Sequence, residues 1–456
     1  MGGGISGLIA ARVLAGHFER VTVLEQDTVT ADTGYRTGVP QARHTHALLA
    51  RGAHILEQLF PGLREELAAQ GASVFDLGAS ARVLFPSGWA PRTHIGVLVQ
   101  NATRPALEGC LRRRVLALEP VSIRSGWRVQ DLCWDATHRR VTGVVAASTG
   151  EVLQHPAALG PRQAAGAGLQ PIAADLVVHA AGRNSRLAEW LHQAGYPAPA
   201  SRTIRSSTTY ASRLFKAPPG TMNGYHILGG TPHAPDVRRA GGVQAVEGGA
   251  VIVTLLGAGG EVPPGDEPGF LAYARSLPHP DIAEIITTST PVGPIYRALR
   301  LDNRWVLYHR MPCWPERLLV LGDAVCSFNP VYGQGMTMAA LEAQLLGRML
   351  GRADYVRDLS GIAPRFQRRL ARALAVPWAV ATSTDLGWAP GRSSPTARLT
   401  RWYGDHLIAL IPHSPRIYQS VYQVAQMVRS PVALLHPAVL GSVTRRAIQP
   451  HHRRKP

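Results

Sequence analysis

The chain has 456 residues, enough for more than one structural layer, with 45% apolar residues and a formal charge of +18. That charge is carried almost wholly by scattered arginines, since Lys216 and Lys455 are the only lysines, and no nucleic-acid recognition motif accompanies it; no nucleic-acid partner is expected. No apolar run reaches the roughly 20 residues that span a bilayer, and the start carries no signal peptide. The four cysteines (Cys110, Cys133, Cys313, Cys326) have no C-x-x-C spacing. A cytoplasmic protein without disulfides or metal is the expectation.

The chain opens on Met1-Gly-Gly-Gly-Ile-Ser-Gly-Leu8, in which Gly2, Gly4 and Gly7 fit G-x-G-x-x-G ahead of a helical pattern. Gly2 permits a tight turn, Gly4 lets backbone approach a pyrophosphate, and Gly7 lets the helix sit close to a sheet. The helix start offers free N–H groups and a positive dipole end to phosphate. A second short apolar run, Val21–Leu24, ends in Glu25, placed to accept ribose hydroxyls and to repel a 2′-phosphate. The strand that should precede the glycines is missing before Met1, so a truncated first strand is expected.

A polar segment from Asp32 to Pro40 leads to Gln41-Ala-Arg-His-Thr-His46 and an apolar helix from about Ala47 to Leu59. Thr103 and Pro105 have the makings of a cap and first turn for a helix faced by Leu107, Leu111 and Val115. Alternation between Val121 and Ala147 predicts a strand meander. Residues 154–172, rich in Ala, Gly and Pro, read as a flexible insertion at a hairpin tip. A strand and turn follow over 173–186. From about 202 to 294, strand-like runs such as Val251–Leu256 alternate with Gly/Pro turns, with one helix near Pro268–Leu277; this predicts an inserted antiparallel layer. Leu318–Leu321 is a buried strand, Met336–Leu350 a strong helix, and the chain from Pro364 is mostly helical, ending in a basic tail read as disordered.

The stretch Gly322-Asp-Ala-Val-Cys-Ser-Phe-Asn-Pro-Val-Tyr-Gly-Gln-Gly-Met336, together with Gly2–Leu8 and Glu25, Gly38–His46, Thr103–Glu108 and Asp175–Arg186, resembles the FAD-dependent monooxygenases of the aromatic-hydroxylase fold class. The branch that includes bacterial polyether epoxidases is the most similar. The resemblance implies an α/β fold: a Rossmann-type FAD-binding domain over 1–201 and 295–352, a substrate-binding β-sheet layer over 202–294, and a helical C-terminal region over 353–456. It implies FAD held by Gly2, Gly4, Gly7 and Glu25, by Arg104, and by Asp323, Pro330, Gly333 and Gly335. Gln41, Arg43, His44 and His46 are candidates to line the flavin pocket. His44-x-His46 suggests no metal site, because no third ligand lies nearby. Cys326 reads as a buried structural thiol, Trp305, Tyr308 and Trp314 as core, and Asp385 has no assigned role.

The function so implied is insertion of one oxygen atom from O2 into a lipophilic alkene or aromatic substrate through a flavin C4a-hydroperoxide, with electrons from NAD(P)H or a partner reductase. The cofactor would supply the hard chemistry, and no residue is marked as catalytic. An FAD-dependent reductase of prenyl-type double bonds is the alternative on the same fold. A chain that does not bind FAD for want of its first strand is the other. The halogenase motif W-x-W-x-I-P is not present; Ser87-Gly-Trp-Ala-Pro91 does not match it.

Overall fold

A computed structural model describes residues 1–456 except 32, 149–167, 207, 300, 353–354, 356–357, 389–394 and 449–456, and the side chain of 397. Parallel strands make one sheet in two halves. Val21–Glu25 pairs in parallel with Val121–Ser125, and Val177–His179 pairs in parallel with Leu318–Val320. Among the described residues, the start of the chain lies between the halves. The Met1 amine donates to the Val178 carbonyl at 2.8 Å, Ala180 N–H to the Met1 carbonyl at 2.9 Å, and Gly2 N–H to the Leu24 carbonyl at 2.8 Å. Val21–Leu24, Val177–Val178 and Leu318–Val320 are apolar because both faces of a parallel sheet are covered, whereas Val121–Ser125 alternates and exposes Ser122 and Arg124. Leu318, Leu319 and Val320 are wholly buried, beneath Leu8 and Ile9 of helix Ile5–Leu14 and Leu346 of helix Gln334–Leu350.

The predicted meander divides between layers. Val121–Ser125 belongs to the parallel sheet, while Trp127–Trp134, Val141–Ser148 and Leu169–Ala173 form a separate antiparallel sheet. Of the flexible insertion expected at 154–172, the last residues are a strand, Leu169–Ala173 pairing with Val141–Ser148, and 154–167 lie outside the described residues.

The second large layer is a seven-stranded sheet in the order Thr290–Ala298, Thr209–Lys216, Ala250–Gly257, Arg239–Ala245, Ile227–Gly229, Ala81–Phe85 and Gly88–Trp89. It is antiparallel except where Ile227–Gly229 meets Ala81–Phe85 in parallel. That last pairing draws in residues the periodicity around 202–294 could not announce. Alternation gives the sheet two faces. Ala211, Phe215, Val251, Val253 and Leu255 pack under helices Glu267–Arg275 and Asp281–Thr288, the second of which was not predicted. Tyr210, Ser212 and Thr254 lie on the other face, toward the loop at 44–45.

Helix Ile362–Asp385 runs back along the parallel sheet, with Phe366, Leu370 and Leu374 fully buried. Helices Pro395–Leu410, Pro415–Ala425 and Pro437–Ile448 close a smaller core over Phe75, Ile95, Val97 and Val99. Of the basic tail expected to be disordered, Arg445 and Arg446 are helical, and 449–456 lie outside the described residues. No helix among the described residues is long and apolar enough to cross a membrane.

Candidate functional site

Two glycine turns meet at the end of the parallel sheet. In the first, Gly2 has φ +93°, and a Cβ there would stand 2.4 Å from the Ala180 carbonyl oxygen. A Cβ on Gly7 would stand 1.8 Å from the Gly2 carbonyl oxygen. Both positions exclude any side chain. Gly4 differs: the nearest atom to its Cβ position is Arg36 Nη2 at 3.6 Å, so its face is open. Gly4 is also the N-cap of helix Ile5–Leu14, with no side chain capping it and no acid in the first turn. The positive end of that helix is left to whatever approaches Gly4.

Glu25 is 5% exposed and is engaged on both oxygens. It accepts Gly3 N–H at 2.7 Å and Asp27 N–H at 2.9 Å, and pairs with Arg36 at 3.0 Å. Arg36 also donates to Glu108 at 2.8 Å and leans on the Gly3 carbonyl at 3.4 Å. Burial works against this cation, but Glu108 and Glu25 outweigh it and hold the guanidinium more firmly protonated. Glu108 receives Arg112 as well, at 3.0 Å. Any ribose hydroxyl that reaches Glu25 shares it with Arg36. Sequence reasoning missed Arg36, which sits in an irregular polar loop; an arginine there carries no periodic signal.

The second turn follows Leu318–Val320. Gly322 has φ +68°, and its Cβ would meet Ser6 Oγ at 2.5 Å, so the two turns touch there. Glu342 accepts Gly322 N–H from helix Gln334–Leu350, and burial raises its carboxyl to about 8, with Asp323 adding to the rise and the Gly322 bond opposing it. Asp323 is partly accessible to solvent, and its carboxyl is raised by burial and opposed by Arg104 and Arg183. Pro330 begins a 3-10 turn that Asn329 caps, and it is exposed. Gly333 has φ +62° and would strike Ala47 Cβ at 2.9 Å, which seats the 44–47 loop against the start of the helix. Gly335 is open, with Asp323 Oδ1 its nearest neighbour at 3.9 Å.

Arg104 starts its helix as expected, with Thr103 accepting Ala106 N–H and Pro105 in the first turn. Its Nε is buried without a hydrogen-bond partner, 3.5 Å from a Glu108 oxygen. Its charge acts on both Asp323 and His46, so these three share one neighbourhood. Gln334 Oε1, one residue past Gly333, is likewise buried and unpartnered.

The four pocket candidates do not act as one group. Gln41 gives its carbonyl to His46 Nε2 at 2.9 Å. Arg43 turns to the seven-stranded sheet, donating to the Tyr296 hydroxyl at 2.6 Å with its guanidinium over the rings of Tyr296 and Tyr35. His44 Nδ1 lies 2.9 Å from Ser212 Oγ, which is 2.7 Å from Thr254 Oγ1, itself 2.7 Å from Thr45 Oγ1. Burial lowers His44 to about 4 and His46 to about 3, so both rings are neutral near pH 7. Ser212 and Thr254 could have been noticed as hydroxyls inside otherwise apolar strand runs. Among the described residues, no group of three His, Cys, Asp or Glu could hold a metal ion.

Asp385 is the larger omission. It comes from the end of helix Ile362–Asp385 and accepts from Asn303, from Asn329 at 3.1 Å and from the Tyr332 hydroxyl at 2.7 Å. Asn329 closes the set with its backbone N–H on Asn303 at 2.8 Å. Cys326, Trp305 and Tyr308 are buried, and burial pushes the Cys326 thiol far up, as an inert core thiol requires.

No family model matches the chain. Protein Rv3254 of Mycobacterium tuberculosis is 34% identical over 411 residues, which cover 88% of this chain and 82% of Rv3254. The chain belongs to the Rv3254 family. Solved structures share its fold at much lower identity, and those named here are FAD- or flavin-dependent halogenases and monooxygenases. The flavin-dependent brominase Bmp2 superposes with a TM-score of 0.63 at 13% identity, covering 98% of both chains. PqsL of Pseudomonas aeruginosa, a probable FAD-dependent monooxygenase, gives 0.60 at 16% identity, covering 92% of this chain and 98% of its own. The p-nitrophenol 4-monooxygenase PnpA of Pseudomonas putida DLL-E4 gives 0.62 at 16% identity, covering 93% and 95%. The Rv3254 family member described here thus has the mixed α/β fold of these enzymes.

Proposed function

We propose that the chain is an FAD-dependent monooxygenase that places one oxygen atom from O2 into a lipophilic alkene or aromatic substrate, as an epoxidase of natural-product biosynthesis. One observation carries the reading: two glycine turns touch through Ser6 and Gly322, and each presents one open glycine, Gly4 and Gly335, at the start of a helix that no side chain caps. The donor set fits a flavin dinucleotide. Gly2, Gly4, Gly7 and Glu25 would hold its adenosine diphosphate half, with the helix dipole on the pyrophosphate. Arg104, whose Nε lacks a partner, and Asp323 would take the ribityl side, with Pro330, Gly333 and Gly335 shaping the turn below the ring.

Reduced FAD supplies the activation of O2 when bound. The chain's own residues bind, orient and exclude water. His44 and His46, neutral and buried, would wall the ring side without adding charge. The seven-stranded sheet would offer the substrate the face carrying Tyr210 and Leu256. The proposed division is an FAD-binding domain over 1–201 and 295–352, a substrate layer over 202–294 to which Ala81–Phe85 and Gly88–Trp89 add two strands, and a helical region over 353–456. Electrons would come from NAD(P)H or a partner reductase. The free thiols of Cys110, Cys133, Cys313 and Cys326 suit a reducing cytoplasm.

The test is to load the purified chain with FAD, reduce it without air and admit O2 while following flavin absorbance and oxygen uptake. Oxygen uptake coupled to an oxygenated product from an alkene or phenol is the expected result. Reduction of the substrate double bond without oxygen uptake would move the chain to the prenyl-type reductases. Failure to retain FAD under any condition would overturn the reading.

A further inference from the structure

Helices Pro395–Leu410, Pro415–Ala425 and Pro437–Ile448 turn Leu407, Ile417, Tyr418, Val439 and Val443 inward onto the smaller core. A second set of apolar side chains in the same region stays in solvent. Leu399 is 65% exposed and Trp402 45%, and at a spacing of three they are neighbours on the surface of the first of these helices. Val432 is 70% exposed and Leu435 56%, and in the 3-10 turn Pro431–Leu435 residues three apart eclipse one another. One contact brings the two pairs together. The Tyr403 hydroxyl donates to the Leu434 carbonyl, so the residues next to Trp402 and Leu435 are bonded to each other. Single exposed leucines are ordinary, but four large apolar side chains gathered around one bond make a patch.

Charge decides what the patch fits. Residues 395–448 hold six arginines (Arg398, Arg401, Arg416, Arg429, Arg445 and Arg446) and one acid, Asp405. Asp405 stands 3.4 Å from His233 and feels Arg401 and His406 as well, so one carboxylate faces several cations. Arg398 and Arg401 alternate with Leu399 and Trp402 along the helix, and exposed Arg429 precedes Val432 by three residues. We propose that this face docks on an anionic lipid surface, with Leu399, Trp402, Val432 and Leu435 entering the headgroup boundary and the arginines meeting lipid phosphates. Arginine stems lie along an apolar layer while their guanidinium groups reach phosphate, and a tryptophan ring suits the headgroup level. The four apolar side chains stand on the outside of a helix and a turn, so they enter a fluid boundary without needing a matching groove. Six cations against one acid would repel a second copy of the same face. The docking is peripheral, since no described helix is long and apolar enough to span a bilayer.

The full chain is floated with vesicles of phosphatidylcholine alone and with vesicles of an equal mixture of phosphatidylcholine and phosphatidylglycerol. The anionic vesicles should carry it about tenfold better or more, and added salt should weaken the binding. Leu399→Ser with Leu435→Ser should lower partition to the anionic vesicles by about tenfold or more. Arg398→Gln with Arg429→Gln should lower it by about twentyfold, because each arginine near the surface is worth about fivefold. All four side chains are exposed, so both variants should keep the thermal midpoint of the unaltered chain. Hydrogen exchange of the unaltered chain needs no variant: residues 399–402 and 431–436 should exchange more slowly with anionic vesicles and at the same rate with neutral ones. Equal partition into both kinds of vesicle, binding that either folded variant retains in full, or exchange at those residues unchanged by anionic vesicles would overturn the proposal. Self-association removed by the serine pair, without vesicle binding, would give the face to a second copy and overturn it. Binding to polyglutamate but to neither vesicle would give the arginines to an acidic protein, with the same result. No step uses FAD, so vesicle binding and the flavin reading stand or fall separately.

Discussion

The turn at Gly322 follows Leu318–Val320, a strand paired in register with its neighbour, and the polar groups beyond it are tied into the Asn303, Asn329, Tyr332 and Asp385 network. The turn at Gly2 is held by the Met1 rungs, and its polar groups are tied by ions: Glu25, Arg36 and Glu108. The same local device, a positive-φ glycine feeding a helix, is thus braced by neutral amides and a hydroxyl around one carboxylate in one case and by a chain of charges in the other. The second turn takes its rigidity from hydrogen bonds gathered on Asp385, the first from a network of ions.

Several substitutions separate the two turns. Asp385→Ala should have the largest effect on stability, about 4 kcal/mol in urea unfolding, because it takes the shared acceptor from buried Asn303 and the half-buried Tyr332 hydroxyl and leaves buried Asn329 Nδ2 with Ser206 alone. A loss below about 1 kcal/mol would show that the second turn does not depend on this network. Gly7→Ala should cost about 3 kcal/mol, since its Cβ meets backbone that cannot give way; an unchanged unfolding midpoint would mean that the first turn is softer than drawn. Gly4→Asp should leave the midpoint within about 0.5 kcal/mol and weaken FAD binding by about a hundredfold, because its Cβ has room but its carboxylate stands where phosphate would. Titration with FAD by flavin fluorescence decides it, and unaltered affinity would remove Gly4 from the site. Arg104→Met should weaken FAD by about tenfold with little change in fold, read by the same titration.

The smallest effect is a pH slope at the second turn. The folded chain holds the Glu342 proton up to about 8, whereas an unfolded glutamate releases it near 4.5. The folded state therefore binds more protons across that window, and this contribution to stability falls as pH rises from about 4.5 to 8. Glu342→Gln stays neutral and should flatten the slope, changing the midpoint at pH 8 by about 3 °C relative to pH 5. Parallel slopes in both chains would place the proton elsewhere.

The parts that sequence made legible are those whose spacing is local. Gly2, Gly4 and Gly7 fall within one turn, Glu25 closes the next strand, and Gly322 to Gly335 run without interruption, so each motif announces its backbone geometry. Arg36 was not legible, because its partners Glu25 and Glu108 lie in different elements. Nor was the role of Asp385, more than fifty residues from Tyr332 and Asn329 along the chain and joined to them only by the path of one long helix. Ala81–Phe85 reads as a short strand with no hint that its partner is Ile227–Gly229. The pocket candidates at 41–46 were found together in sequence but face different ways, since a 3-10 turn over Pro40–Arg43 sends Arg43 toward Tyr296 and leaves His44 against Ser212.

Helix Ile362–Asp385 brings a consequence for anyone recombining members of this family. Its last residue closes a polar cluster whose other members come from 303 to 332, so a crossover between those segments splits one cluster between two parents. A chimera that inherits Asn329 and Tyr332 from one parent and a helix without the matching carboxylate from the other would carry the fault into the turn itself. The helical end of the chain is inherited with the glycine turn or not at all.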